Sequence, residues 1–181
     1  MEANEVLQQQ FLTFLVAEEE YAVRVLRVKE ILAYQPVTRV PKTAEWIKGV
    51  FNLRGSVVPV IDLAVKFGHE ATSVSKTTCI VIFEVELYDG PMVMGMIVDA
   101  VSQVVDLGPE DIKPAPAFGA GLDTQFLLGV AQIGARLSLL LDLDKVFSTN
   151  ELLHVEQAGD ADSPETLLPK DAQAQENSFP T

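Results

Sequence analysis

Short apolar runs separated by polar turn residues extend over most of the chain, and their spacing predicts strands more often than helices. The runs 11–16 and 21–25 flank three consecutive glutamates and predict two strands joined by a polar turn. Val25, Val28 and Leu32 are instead spaced three and four residues apart, a period that places them on one face of a short helix.

Two prolines interrupt the next segment, "QPVTRVP" (35–41), which is therefore predicted to be an extended edge segment. Thr43 is predicted to cap a short helical turn, "AEWIK" (44–48), that ends at Gly49.

The run 49–61 predicts a hairpin with a full positive charge at its tip. "GVFNL" (49–53) and "SVVPVI" (56–61) are the two predicted strands, and Arg54 and Gly55 form the turn. Asp62 follows as the predicted N-cap of a short helix, "LAVKF".

A second predicted hairpin joins the long strand 77–87 to the strand 92–99 through Asp89 and Gly90, a strong hairpin-turn pair. Three methionines share one face of the second strand, a composition that suits an adaptable binding surface. The opposite face is also apolar, which favours a strand buried on both sides.

A connection rich in proline and glycine (109–123) leads to a last predicted hairpin, 126–133 and 136–143, around Gly134. A C-terminal helix is predicted from about 143 to 153. Turn signals every ~8–12 residues favour small β-barrels over a parallel α/β sheet. The predicted fold class is therefore all-β, with short helices between the strands.

The stretch 49–67 recurs without gaps at 129–147, with glycine, aspartate and phenylalanine at matching positions. A looser echo pairs Val28, Ile31 and Leu32 with Val101, Val104 and Val105. These matches predict two copies of one small barrel. Gly134 stands where the first copy has Arg54, so the barrel itself does not require an arginine there. The charge therefore favours a specific contact.

Charge and composition exclude several classes of function. The chain has 181 residues with 26 acidic and 13 basic side chains, a net charge of −13, which disfavours binding to nucleic acid or to anionic membranes. No apolar run approaches the ~18 residues of a membrane span, so no direct membrane insertion is expected. No signal peptide is recognisable, and the single cysteine, Cys79, excludes an intramolecular disulfide, so a cytoplasmic location is expected.

Candidate catalytic groups are too few and too scattered to predict an enzyme. His69 and His154 have no nucleophile in a recognisable frame, and two histidines with one cysteine do not make a metal site. Asp62 and Asp142 recur at matching positions, where helix capping explains both. We expect no catalysis, no metal and no cofactor, and infer recognition of other proteins.

Several segments, in the same order, resemble the CheW family of bacterial chemotaxis coupling proteins, over about 11–153. They are "EYAVRVLRVKEIL" (20–32), "VTRVP" (37–41), "FNLRGSVVPVIDLAVKFG" (51–68), "MIVDAVSQVV" (96–105), "IKPAPAF" (112–118) and "LLGVAQIGARLSLLLDLDKVF" (127–147). The pattern N-L-R-G-x-x-x-P-V-I-D-L is distinctive. The resemblance implies two tandem SH3-like five-stranded barrels packed together.

The resemblance also implies a function as an adaptor. Such proteins couple the cytoplasmic signalling tips of chemoreceptors to the regulatory domain of the histidine kinase CheA, as monomers that become ring members in receptor arrays. A coupling protein of a non-flagellar system, such as pilus motility, is the alternative, and a small-molecule-binding barrel is a remote one. The implied receptor-binding residues are Val28, Glu30, Gly49, Arg54, Cys79, Val101 and Val104. For Arg54, a contact role and a structural role remain equally open.

The resemblance and the composition together predict the domain limits. A flexible N-terminus (1–9) precedes a CheW-like domain (10–155) with a first barrel at 10–84 and a second at 85–149. The hairpin around 84–92 is longer than the family leads us to expect, which alters a surface or only lengthens a loop. An acidic segment (156–181) is predicted to be disordered, either tuning association or without effect.

Overall fold

The computed structural model describes residues 8–87, 89–116 and 124–147. Ten strands make up most of this part of the chain, together with two short α-helices, α1 (Leu63–Lys66) and α2 (Leu143–Val146). The strands are β1 (Gln9–Val16), β2 (Glu19–Arg24), β3 (Val28–Ala33), β4 (Ile47–Leu53), β5 (Ser56–Asp62), β6 (Cys79–Leu87), β7 (Gly90–Val98), β8 (Ala100–Leu107), β9 (Leu127–Ile133) and β10 (Arg136–Leu141). Two single 3-10 turns precede β3 and β9.

The strands form two five-stranded sheets, and each sheet belongs to one small barrel. Barrel A has the strand order β8-β1-β2-β10-β9, and barrel B has the order β3-β6-β7-β5-β4. Each barrel contains one parallel pair, β2 with β10 in barrel A and β5 with β7 in barrel B. The predicted all-β fold with two five-stranded barrels is confirmed.

The predicted division into barrels at 10–84 and 85–149 does not match the strand pairing. Barrel B is a continuous segment from β3 to β7, whereas barrel A combines β1 and β2 with β8, β9 and β10. The reason is that β1 pairs along its length with β8, and β2 pairs with β10, so the two ends of the folded chain share one sheet.

The two barrels follow one plan, with the strands taken up in a different order. The strands β3 to β7 of barrel B correspond, in turn, to β8, β9, β10, β1 and β2 of barrel A. The matched stretches 49–67 and 129–147 are equivalent hairpins followed by α1 and α2. The backbone N–H of Asp62 donates to the carbonyl of Trp46, and that of Asp142 donates to the carbonyl of Phe126.

A close approach of backbone to backbone explains why glycine recurs at the start of both hairpins. Gly49 and Gly129 have φ angles of 154° and 157°, which side-chain-bearing residues rarely adopt. A Cβ at Gly49 would lie 2.2 Å from the carbonyl oxygen of Thr38, and one at Gly129 would lie 2.5 Å from that of Lys113. At this point a second segment crosses each hairpin and forms an isolated antiparallel bridge with it. Thr38 pairs with Val50 in barrel B, and Lys113 pairs with Val130 in barrel A.

Three apolar clusters hold the molecule together: one inside each barrel and one between the barrels. The interbarrel core is the largest and takes Phe14 and Val16 from barrel A and Phe83 and Met96 from barrel B. Residues 94–98 of β7 are buried on both faces: Met94 and Met96 point into the interbarrel core, whereas Ile97 points into barrel B. The predicted burial on both sides is confirmed for this half of the strand, whereas Val93 is 36% exposed. Met94 and Met96 therefore do not form a binding surface.

Two predicted helices are wrong. The segment 25–32 forms only a 3-10 turn (Val25–Arg27) before continuing as β3, because β3 pairs with β6 along the sheet. The segment 44–48 contains no helix, and Ile47 already begins β4.

The two recurring aspartates and the last helix agree only in part with the predictions. Asp62 caps α1 through a hydrogen bond from the N–H of Ala64, whereas the side chain of Asp142 makes no such bond at α2. The C-terminal helix begins at Leu143 as predicted but ends at Val146, and Phe147 has non-helical backbone angles. Residues 148–153 of the predicted helix, residues 1–7 of the predicted flexible N-terminus and the acidic segment 156–181 lie outside the described residues.

Candidate functional site

Arg54 occupies a turn that its side chain does not favour. Arg54 has a φ angle of 51° and Gly55 one of 89°, values that suit glycine or asparagine far better than arginine. The amide oxygen of Asn52 accepts a hydrogen bond from the N–H of Gly55 and closes the turn. The equivalent turn of barrel A has Gly134, with a φ angle of 60°. The chain thus retains an arginine where a glycine would be less strained, which points to a role for the guanidinium itself.

The guanidinium of Arg54 forms a two-pronged ion pair with Glu30. Its two terminal nitrogens donate to the two carboxylate oxygens of Glu30 over 2.7 Å and 2.6 Å. The pair joins β3 to the β4–β5 turn, and β3 and β4 are the two end strands in the order of barrel B. The Arg54 side chain is 73% exposed and that of Glu30 26% exposed, so the pair lies at the surface.

The ion pair changes the protonation behaviour of both partners. The hydrogen bonds from Arg54 lower the pKa of the Glu30 carboxyl below its ordinary value. Partial desolvation opposes this lowering, and the positive charge adds to it. The same hydrogen bonds raise the pKa of Arg54. Glu30 therefore remains ionised and paired across the neutral pH range.

Three other residues from the implied receptor-binding set border the interbarrel core. Val28 on β3, Cys79 on β6 and Val101 on β8 are partly buried and pack against that core. The thiol of Cys79 donates to the carbonyl of Thr77 over 3.2 Å. These residues come from both barrels, so the structure brings them to the edges of one shared interface.

Exposed aliphatic side chains lie on the same edge strands. Val104 on β8 is 52% exposed. Ile31 on β3 is 44% exposed and was not among the implied site residues. The looser echo in the sequence matches Ile31 with Val104, and this match could have predicted Ile31 as a further site residue.

Gly49 differs from the other implied receptor-binding residues. It is buried in β4, and the approach of Thr38 to its backbone accounts for the glycine. We therefore infer that Gly49 has a structural role rather than a contact role.

Within the described ranges, no group of three or more histidine, cysteine, aspartate or glutamate side chains is arranged to hold a metal ion. No helix in this part of the chain is long and apolar enough to cross a membrane. What the geometry does provide is a pair of packed barrels with an ion-paired turn and exposed aliphatic residues on edge strands. Such an arrangement defines a protein-binding module.

Comparison with known proteins identifies which module this is. A family model described as a CheW-like domain matches residues 10–151. The chain therefore belongs to the CheW family, whose members are non-catalytic coupling scaffolds of chemotaxis signalling.

Individual relatives agree with this assignment. Chemotaxis protein CheW of Klebsiella aerogenes is 42% identical over 154 residues, which cover 85% of this chain and 90% of that protein. Protein FrzA of Myxococcus xanthus is 28% identical over 144 residues, covering 78% and 87%. The crystal structure of the scaffolding protein TtCheW from Thermoanaerobacter tengcongensis superposes with a TM-score of 0.68. Its identity is 33%, and the match covers 79% of this chain and 90% of that one.

Proposed function

We propose that this protein links the cytoplasmic signalling domains of chemoreceptors to the regulatory domain of CheA, and that its receptor contact includes Arg54. It works in the cytoplasm at receptor arrays, is a monomer alone and becomes a ring member in company with the kinase. The observation that carries the proposal is the Arg54–Glu30 pair, held at the surface by a turn that would be less strained with glycine.

The proposed receptor surface has an apolar part and a charged part. Val28, Val101 and Val104 supply aliphatic area along the edge of the interbarrel contact, and a helix from a receptor tip would bury that area. The ion pair presents a fixed guanidinium beside it, ready to donate a hydrogen bond to a receptor carboxylate or carbonyl. Cys79 contributes a small, partly buried side chain at the same interface.

Co-sedimentation of receptor signalling domains, kinase and this protein tests the proposal. Arg54→Gly should leave the barrels folded, since Gly134 already occupies the equivalent turn, but should reduce the kinase recovered with receptor. Arg136→Ala is the matched control, because Arg136 is an exposed arginine on the equivalent hairpin of barrel A and its loss changes the net charge equally. If wild type, Arg54→Gly and Arg136→Ala bring down equal amounts of kinase with the receptor, Arg54 is not part of the receptor contact.

A second pair of variants tests the apolar part. Val104 and Leu137 are each 52% exposed, but only Val104 lies on β8. Val104→Asp should weaken receptor binding, and Leu137→Asp should not. A decrease of the same size in both variants would mean that general surface polarity, and not this edge strand, governs the interaction.

A coupling protein of a non-flagellar chemosensory system is the second candidate, and the similarity to FrzA favours it. Mixing the protein with receptor and kinase sets from each system present in its source organism separates the two. Recruitment of kinase in only one set identifies the system that the protein serves.

A further inference from the structure

A cleft at one end of barrel B is a site that the proposed receptor contact does not use. Its volume is about 420 Å³, and Val37, Ile47 and Val65 form part of its apolar lining. Arg39, Lys48 and Glu45 also line it. The cleft therefore combines an apolar floor with charged side chains, two of them positive.

The two cations of the cleft have no anionic partner in the described part of the chain. None of the ion pairs found there involves Arg39 or Lys48. Of the acids in the cleft, Asp62 is buried, and its carboxylate accepts bonds from the N–H of Ala64 and from the N–H and hydroxyl of Thr72. An acidic ligand would therefore find two cations facing a single exposed acid.

The described chain ends beside this cleft. The ring of Phe147 packs against the ring of Trp46 with centroids 6.2 Å apart, and Trp46 lies between the cleft residues Glu45 and Ile47. The ammonium of Lys66 lies 4.3 Å from the Trp46 ring centroid and 5.7 Å from that of Phe147. Any segment that follows Phe147 closely therefore starts one ring contact away from a residue whose two chain neighbours line the cleft.

The sequence that follows has the composition to fill the cleft. Residues 151–156 read "ELLHVE", in which three aliphatic residues lie between two glutamates. Only residues 148–150 separate this segment from Phe147, a tether that spans about 13 Å when extended. The more distant acidic residues of 157–181 would close longer loops at a greater entropic cost.

We propose that residues 151–156 fold back into the cleft as an internal ligand. Leu152, Leu153 and Val155 cover the apolar floor, and the two flanking glutamates pair with Arg39 and Lys48. The proposal does not depend on which receptors or kinase the protein serves. It assigns a function to a segment at the end of the family-model match, which stops at residue 151.

The single tryptophan provides the readout. Trp46 is only partly buried and lies in the chain between the cleft residues Glu45 and Ile47, so an emptied cleft should move its emission to longer wavelength. A chain truncated after Asn150 should show this shift, and a chain truncated after Glu156, which keeps the segment, should match the full-length protein. Amide protection of Val146 and Phe147 in both truncations shows that α2 is still formed and docked.

A peptide spanning residues 148–158 should bind the chain truncated after Asn150 and return its tryptophan emission to that of the full-length protein. A higher salt concentration should weaken this binding, because salt screens the ion pairs. Lys48→Glu should lower the affinity for the peptide about tenfold. A peptide that carries Glu151→Lys should recover much of this affinity when it binds the Lys48→Glu variant. The proposal is overturned if both truncations have the emission of the full chain, or if the peptide binds equally to the Lys48→Glu variant. A shift that depends on protein concentration would assign the cleft to a second copy instead, and would overturn the proposal as well.

Discussion

Replacing Gly49 by alanine should destabilise the protein much more than replacing Gly134 by alanine, although both glycines have positive φ angles. A Cβ at Gly134 meets no atom within 4 Å, so the cost there is the backbone strain alone, about 1–2 kcal/mol. A Cβ at Gly49 would lie 2.2 Å from the Thr38 carbonyl oxygen and 2.7 Å from its carbonyl carbon. That clash cannot be relieved without moving the segment that crosses the hairpin.

The magnitude follows from what the segment loses when it moves. Thr38 and Val50 exchange two backbone hydrogen bonds of 2.8 Å each, and each is worth about 1 kcal/mol. Adding the backbone strain, we expect Gly49→Ala to lower the free energy of unfolding by about 3–4 kcal/mol. For a chain of this length, this corresponds to a fall in melting temperature of roughly 10 °C.

Urea unfolding measures this difference, and hydrogen exchange locates it. In Gly49→Ala, the amides of Thr38 and Val50 should lose protection, whereas in Gly134→Ala they should keep it. Gly129→Ala should behave like Gly49→Ala, because its Cβ would meet the Lys113 carbonyl at 2.5 Å. If Gly49→Ala unfolds within about 1 kcal/mol of Gly134→Ala with both amides still protected, the clash argument fails, and a receptor contact for Gly49 regains its place.

Three further outcomes are expected. Met96→Ala should cost about 2–4 kcal/mol in urea unfolding because Met96 is fully buried between the barrels, and Val57→Ala, at a side chain 69% exposed, should cost almost nothing; equal costs would contradict the packing. The Glu30 carboxyl should titrate at lower pH in wild type than in Arg54→Ala by carbon-13 NMR. Because its pKa is lowered in the folded state, the pair's contribution is complete above the ordinary glutamate range and disappears as the pH falls through the folded-state pKa; identical titrations would refute the pairing. Asp144→Ala should lower the unfolding midpoint by breaking the bonds that join α2 to barrel B, and an unchanged midpoint would show that they are not needed.

The hairpins and the duplication could be predicted because their signals are local. Strand, turn, strand, aspartate and helix follow one another within twenty residues in each copy, and the turn glycines mark where the chain reverses. The false helix at 25–32 was predicted from the spacing of Val25, Val28 and Leu32, because the charged Glu30 between Val28 and Leu32 obscures the alternation of β3. Its partner, Arg54, lies 24 residues further along the chain, so this segment alone could not predict the ion pair.

The division into barrels was harder to predict for a different reason. The readable repeat covers β4, β5 and α1 against β9, β10 and α2, and a looser echo relates β3 to β8. No comparable match relates β1 and β2 to β6 and β7, although the strand order makes them equivalent. The contact between the two ends of the folded chain depends on pairing over nearly the full length of the domain, which local periodicity does not encode.

The discontinuity of barrel A bears on the order in which the molecule folds during synthesis. All five strands of barrel B have been made once residue 98 has left the ribosome, so barrel B can close while β8, β9 and β10 are still to come. The first two strands to be translated have to wait for the last three, with the apolar residues of β1 uncovered in the meantime. Ribosome-bound chains halted at the length at which residue 98 has just left the ribosome should therefore show amide protection in β3 to β7 and none in β1 and β2. Barrel A, which contains the first two strands to be translated, is therefore the last of the two barrels to be completed.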